Sequence, residues 1–148
     1  MNKLYAVGIG PGDYEKITLE AEKVLSSCDV IVGYTVYVDL VREHFPGKEF
    51  LTTPMRREEE RCRMAFEEAA KGKTTAMICS GDAGVYGMAG LLLEMGKDYP
   101  DCQVEVIPGV TAALSGAAVL GAPLIHDFAV ISPVSYTHLR AHETRRHG

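Results

Sequence analysis

Three short segments carry the residue types that could do chemistry: Gly8-Ile9-Gly10-Pro11-Gly12-Asp13, then Cys79-Ser80-Gly81-Asp82-Ala83-Gly84-Val85-Tyr86-Gly87, then Ile107-Pro108-Gly109-Val110-Thr111-Ala112. Each follows an apolar, strand-like run, the position at which open α/β sheets hold their ligands. In the first, Pro11 lacks an amide hydrogen and Asp13 puts negative charge where a pyrophosphate would need a helix N-terminus, so a dinucleotide loop fits poorly. The glycines there are also explained by a tight turn at special dihedral angles. In the second, glycines recur at 81, 84, 87 and 90, and each one inside a helix costs ~1 kcal/mol relative to alanine. Something must therefore approach that face closely, either a packed element or a ligand lying on bare backbone. A carboxylate at Asp82 favours the ligand, and suits a cationic or amine-bearing molecule better than a phosphate. The third segment begins a helix with free amide donors and the Thr111 hydroxyl, which serve equally as a simple cap. Taken together, three such loops can converge on one crevice.

The elements that must position these loops alternate between strand-like and helix-like patterns from residue 3 to about 132, the mark of an α/β domain with a mainly parallel sheet flanked by helices. Residues 3–9 and 29–32 read as buried strands. Between them Thr18 can cap a helix with Glu20 and Glu22 in its first turn and Ala21, Val24, Leu25 and Cys28 at helical spacing. A second helix spans about 57–71, with Glu58, Glu59 and Glu60 as its solvated start, Cys62, Phe66 and Ala69 facing inward, and Gly72 ending it. Residues 74–79 form a strand, followed by the glycine-rich turn, a helix to about Lys97 and a strand over 103–107. Residues 111–120 form a small-residue helix, apolar all round and closed by Gly121 and Pro123, which should be buried.

The pattern breaks after Ser132. Residues 133–148 hold His138, His142 and His147 with three arginines and no apolar periodicity. The histidines could be read as metal ligands, but no carboxylate or cysteine framework supports a metal site. The run from Ser135 to Thr144 resembles translated sequencing-adapter read-through, and the tail is expected to be non-native and disordered, leaving residues 1–132 as the domain.

Hydrophobic residues make up 47% and charged residues 24% of the 148, with no run near the ~20 apolar residues of a membrane span, so a membrane location is not expected. The N-terminal apolar stretch stops at Gly8, too short for a secretory signal, which makes the cytoplasm the default location. A net charge of −5 argues against a nucleic-acid partner. Cys28, Cys62, Cys79 and Cys102 stand singly and read as reduced, mostly buried thiols.

In order and spacing, G-I-G-P-G-D followed by Thr18-Leu19, then S-G-D-A-G-V-Y-G-M-A, then I-P-G-V-T-A resemble the signature segments of the tetrapyrrole methylase family. Within it, Val32 to Tyr37, Ala83 in place of the usual proline, and Leu120 to Phe128 resemble the carbon-17 methylase branch, which acts on precorrin-3B or cobalt-precorrin-3 in cobalamin biosynthesis. The resemblance implies two α/β domains with S-adenosylmethionine in the cleft between them and S-adenosylhomocysteine as its product. It implies methyl transfer to carbon 17 of a tetrapyrrole substrate with ring contraction, no resident metal, and a homodimer. It places Pro11, Ser80, Gly81, Asp82, Val85, Thr111 and Ala112 around the cofactor. Tyr34, at the end of the second strand, falls near an acid-base or substrate-facing position, with a surface or core tyrosine as the plainer reading. His126 and Asp127 would face substrate or form a structural pair. The family's second domain would follow Ser132, so this chain is expected to be a cofactor-binding half with weak affinity and doubtful turnover. The remaining alternatives are a tetrapyrrole methylase acting at another ring position, a nucleotide-binding oxidoreductase domain, and a non-enzymatic interaction module.

Overall fold

A computed structural model describes residues 1–132. The expectations for the tail from Pro133, including His138, His142 and His147, lie outside the described residues. Packing divides the chain into a unit over Met1–Ser115 and a second beginning at Gly116.

Five strands form one sheet in the order β3-β2-β4-β1-β5, with every pairing parallel. They are β1 (Asn2–Gly8), β2 (Val30–Tyr34), β3 (Glu49–Thr53), β4 (Thr75–Cys79) and β5 (Cys102–Ile107). The central strands are near-continuous apolar runs, and β4 is buried at all five positions. A parallel strand covered on both faces requires such a run. Alternation then sorts the side chains between two cores. Leu4, Ala6, Val32 and Met77 point to one, while Val7, Ile31, Ala76 and Ile78 point to the other.

The helices α1 (Leu19–Ser27) and α2 (Thr35–Val41) contribute to the second core through Ala21, Leu25, Val38 and Val41. The helices α3 (Glu58–Ala70) and α4 (Ala89–Met95) close the first through Cys62, Phe66, Ala69 and Leu92. Phe66 stacks on Tyr99 with ring centroids 4.4 Å apart. The Thr18 hydroxyl accepts the Ala21 amide at 3.0 Å, which begins α1 as expected, and Gly72 takes φ +86° just past α3.

Two elements lie outside the expectations, and one expectation, the burial of the last helix, is corrected. The strand β3 and the helix α2 were not anticipated, and the order of the sheet depends on β3 at its edge. The helix expected after the glycine-rich turn to about Lys97 forms as α4 with a 3-10 turn over Gly96–Asp98, and residues 82–88 before it are irregular. Asp82 accepts amides from its own loop there and Tyr86 holds a positive φ of 51°, both incompatible with a continuing helix. The last helix, α5 (Ala112–Leu120), forms as expected and ends at Gly121 with φ +65°, yet none of its residues is buried. An apolar composition calls for cover without supplying it, and Val119 and Leu120 remain about four-fifths exposed at 80% and 81%. No helix among the described residues is long and apolar enough to cross a membrane.

All four cysteines are free. Burial pushes the Cys28 and Cys62 thiols up to about 12 and Cys79 to about 11, while half-buried Cys102 is raised as well. Native-state alkylation at mildly alkaline pH, read by peptide mass mapping, is expected to label Cys102 first and to leave Cys28, Cys62 and Cys79 unmodified until the chain unfolds.

Candidate functional site

The strands β4, β1 and β5 are consecutive in the sheet, so the loops that leave their carboxyl ends lie side by side. The register already aligns Gly8 with Cys79 and Val7 with Ile107. Past the strand ends the contact continues. The Ile9 amide donates to the Cys79 carbonyl at 2.9 Å, and Gly10 and Gly81 exchange both backbone hydrogen bonds at 3.0 and 2.9 Å in an isolated antiparallel bridge. Gly10 and Gly81 take φ +74° and +68°, which a residue with a Cβ adopts only under strain.

Glycine is required here for a second reason. A Cβ on Gly8 would stand 2.6 Å from the Gly81 carbonyl oxygen and 2.9 Å from the amide nitrogens of Ala83 and Gly109. A Cβ on Gly109 would collide with the same Gly81 oxygen and with Gly8. Three backbones from three strand ends therefore meet with no side chain between them.

Asp82 ties this meeting point together. One carboxylate oxygen accepts the amides of Gly84 and Val85 at 2.8 and 3.2 Å, and the other accepts the amide of Gly109 at 2.9 Å. Charge-assisted bonds of this kind are about twice as strong as neutral ones. The sequence suggests that this carboxylate faces a cationic ligand. In the structure both of its oxygens accept backbone amides, so Asp82 holds the second loop to the third.

Of the residues expected around a cofactor, Ser80, Gly81, Asp82, Val85, Thr111 and Ala112 come together, with Pro11 next to the Gly10–Gly81 bridge. A Cβ on Gly81 would lie 3.5 Å from the Ala112 nitrogen and 3.6 Å from Thr111 Cα. The Thr111 carbonyl accepts the amides of Leu114 and Ser115 at 3.0 and 3.1 Å, starting α5. Pro11, Ser80, Val85 and Ala112 are exposed.

Tyr34 is placed apart from this group. It ends β2, on the far side of β4, and its ring makes an edge contact with Tyr37 at 5.2 Å and lies 5.9 Å from the guanidinium of Arg61. His126 and Asp127 fall in the second unit and are exposed.

Arg61 itself escaped the sequence reading. It is buried to 6% exposure, with Nε donating to the Thr53 hydroxyl at 2.8 Å and one terminal nitrogen to the Pro54 carbonyl at 3.4 Å. Its spacing was the available signal: Arg61, Ala65 and Glu68 fall one residue before Cys62, Phe66 and Ala69 on the buried side of α3. A cavity of about 170 Å³ opens beside it, lined by Tyr37, Glu58, Arg61, Ser80, Tyr86 and Met88 among others.

The model of the family described as tetrapyrrole (corrin/porphyrin) methylases matches residues 3–147. A probable cobalt-factor III C(17)-methyltransferase of Salmonella typhimurium is 48% identical over 130 residues, covering 87% of this chain and 54% of that protein. The cobalt-factor III methyltransferase of Priestia megaterium is 44% identical over 135 residues, covering 88% of this chain and 25% of that protein. The chain thus spans about half the length of the first and a quarter of the second. Among solved structures, the methyltransferase CobJ superposes with a TM-score of 0.80 at 33% identity, over 95% of this chain and 62% of its own. A uroporphyrin-III C-methyl transferase from Thermus thermophilus, complexed with S-adenyl homocysteine, gives 0.67 at 28% identity over 88% of this chain and 56% of its own.

Two substitutions test the meeting of the loops. Asp82→Asn replaces one acceptor oxygen with a donor that faces backbone amides, and is expected to cost about 1.5–3 kcal/mol. Gly8→Ala forces a Cβ onto the Gly81 carbonyl, and is expected to cost about 1–3 kcal/mol. Urea unfolding of each variant against the parent chain measures both.

Proposed function

The chain belongs to the tetrapyrrole (corrin/porphyrin) methylase family, and from that premise we propose that it is the cofactor-binding part of an S-adenosylmethionine-dependent methyltransferase of cobalamin biosynthesis. Its acceptor would be carbon 17 of precorrin-3B or its cobalt-containing counterpart, with contraction of the ring. The carbon-17 assignment is supported by the 48% identity to a probable cobalt-factor III C(17)-methyltransferase.

The observation that carries the cofactor reading is the bare backbone where Gly8, Gly81 and Gly109 meet. Gly8 and Gly81 are buried against facing backbone, so the cradle is a rigid floor, and a ligand would lie on its rim, which carries the exposed Pro11, Ser80 and Val85, the Thr111 hydroxyl and the start of α5. These groups suit a zwitterion with several polar ends. They offer no ring of amides for a pyrophosphate, since Pro11 has none and the Gly84, Val85 and Gly109 amides already donate to Asp82.

S-adenosylmethionine supplies a methyl group on a sulfonium, which an electron-rich ring carbon displaces in line. The task left to this chain is alignment, worth several kcal/mol when the reacting atoms are held at near-attack distance. Asp82 keeps the second and third loops in register, and the Gly10–Gly81 bridge does the same for the first and second. Tyr34 stands one strand over, beside Tyr37 and Arg61, on the side where an acceptor would meet the donor if it covers β2 and β4. In that arrangement Tyr34 faces the substrate.

Calorimetric titration and thermal melting decide the cofactor class. S-adenosylhomocysteine is expected to bind and to raise the melting temperature, with NAD doing neither. Stabilisation by NAD alone would reject the methylase reading. Isotope-labelled methyl transfer to the precorrin, with the labelled carbon located by NMR, identifies the ring position.

A further inference from the structure

Arg61 is a buried cation that donates to two neutral acceptors, the Thr53 hydroxyl and the Pro54 carbonyl. Among the described residues no carboxylate oxygen lies within 4.0 Å of its nitrogens. Removing a guanidinium from water without a counter-charge is costly, and such groups are retained where something supplies the missing anion. The cavity of about 170 Å³ beside it has space for that anion, since a liquid water takes up about 30 Å³.

The chemistry of the lining narrows the anion. Arg61 offers a planar fork matched to a carboxylate, and the hydroxyl-bearing residues Tyr37 and Ser80 share its lining. Glu58 shares the lining and is exposed, so the pocket carries a single positive charge opposed by a solvent-screened negative one. That balance suits a monoanionic carboxylate and disfavours a doubly charged phosphate. Ser80 also borders the proposed cofactor cradle, so an acid held on Arg61 would belong to a molecule lying next to the cofactor.

We propose that the Arg61 pocket receives a carboxylate arm of the tetrapyrrole acceptor and fixes how the macrocycle is oriented over β2 and β4. The identity of the arm's bearer rests on the methylase reading above, while the carboxylate chemistry rests on Arg61 and the cavity. Arg61 is then a substrate-orienting residue. Its bonds to Thr53 and Pro54 hold the guanidinium in place, and the edge-packed pair Tyr34 and Tyr37 flanks it.

The test uses the whole chain and uroporphyrin III, a stable polycarboxylate tetrapyrrole, as the probe in a fluorescence titration. Arg61→Met is expected to weaken probe binding by at least about tenfold, as the loss of a charge-assisted pair predicts. Arg61→Lys should fall in between, because it keeps the charge and loses the fork. Glu58→Gln removes an exposed opposing charge without touching the core, and should tighten binding about two- to threefold at low salt. It keeps the proposal testable even if Arg61→Met does not fold. Absence of probe binding by the parent chain, or equal binding by the parent and Arg61→Met, would overturn the proposal. So would weaker or unchanged binding by Glu58→Gln. Stabilisation by S-adenosylhomocysteine should survive in folded Arg61→Met. If the parent chain binds the probe through Arg61 but is not stabilised by S-adenosylhomocysteine, the cofactor-binding reading of the loops fails instead.

Discussion

The carboxylate of Asp82 holds together what the rest of the site depends on. Its oxygens bind Gly84 and Val85 in its own loop and Gly109 in another, 27 residues away in the chain. That span is bridged only because β4, β1 and β5 are neighbours in the sheet. The backbone beneath it can close only because positions 8 and 109 carry no Cβ and Gly81 can hold φ +68°. Carboxylate, strand order and three glycines form one constraint, and removing any one leaves the others without purpose.

On the proposed reading this constraint separates two tasks at the carboxyl end of the sheet. The side built from β4, β1 and β5 closes backbone on backbone and leaves Pro11, Ser80 and Val85 exposed at its rim. The side built from β2 and β4 is furnished with side chains: Tyr34, Tyr37 and a buried arginine beside a cavity. A methyl donor and a large acidic acceptor make such different demands, the first for close approach and the second for charge and shape. On the proposed reading the first demand would be met beside β4, β1 and β5 and the second beside β2 and β4.

Much of the fold was legible in the sequence because apolar runs and glycine punctuation mark β1, β2, β4 and β5 within a residue or two. The strand β3 was not, since Glu49-Phe50-Leu51-Thr52-Thr53 is short and half polar, as an edge strand can be. The helix α2 was hidden by Thr35, Val36, Tyr37 and Val38, whose β-branched and aromatic side chains disfavour a helix locally; burial of Val38 and Val41 overrides that preference. At the site, the residue types at Gly8, Gly81, Asp82 and Gly109 pointed to a crevice. What Asp82 binds could not be read, because its partner Gly109 is close only in space. Arg61 was passed over because a charged residue at the start of a glutamate-rich helix reads as solvated, and only the packing of α3 shows it facing inward.

The central claim is that the meeting of the three loops is where the cofactor lies, and amide hydrogen exchange with and without S-adenosylhomocysteine tests it most directly. The account predicts that added ligand slows exchange in the segments around Gly10 to Gly12, Ser80 to Val85 and Gly109 to Ala113, and leaves the opposite end of the sheet, around Asn2 and Cys102, unchanged. Protection confined to other segments, or none in these loops at saturating ligand, would contradict it.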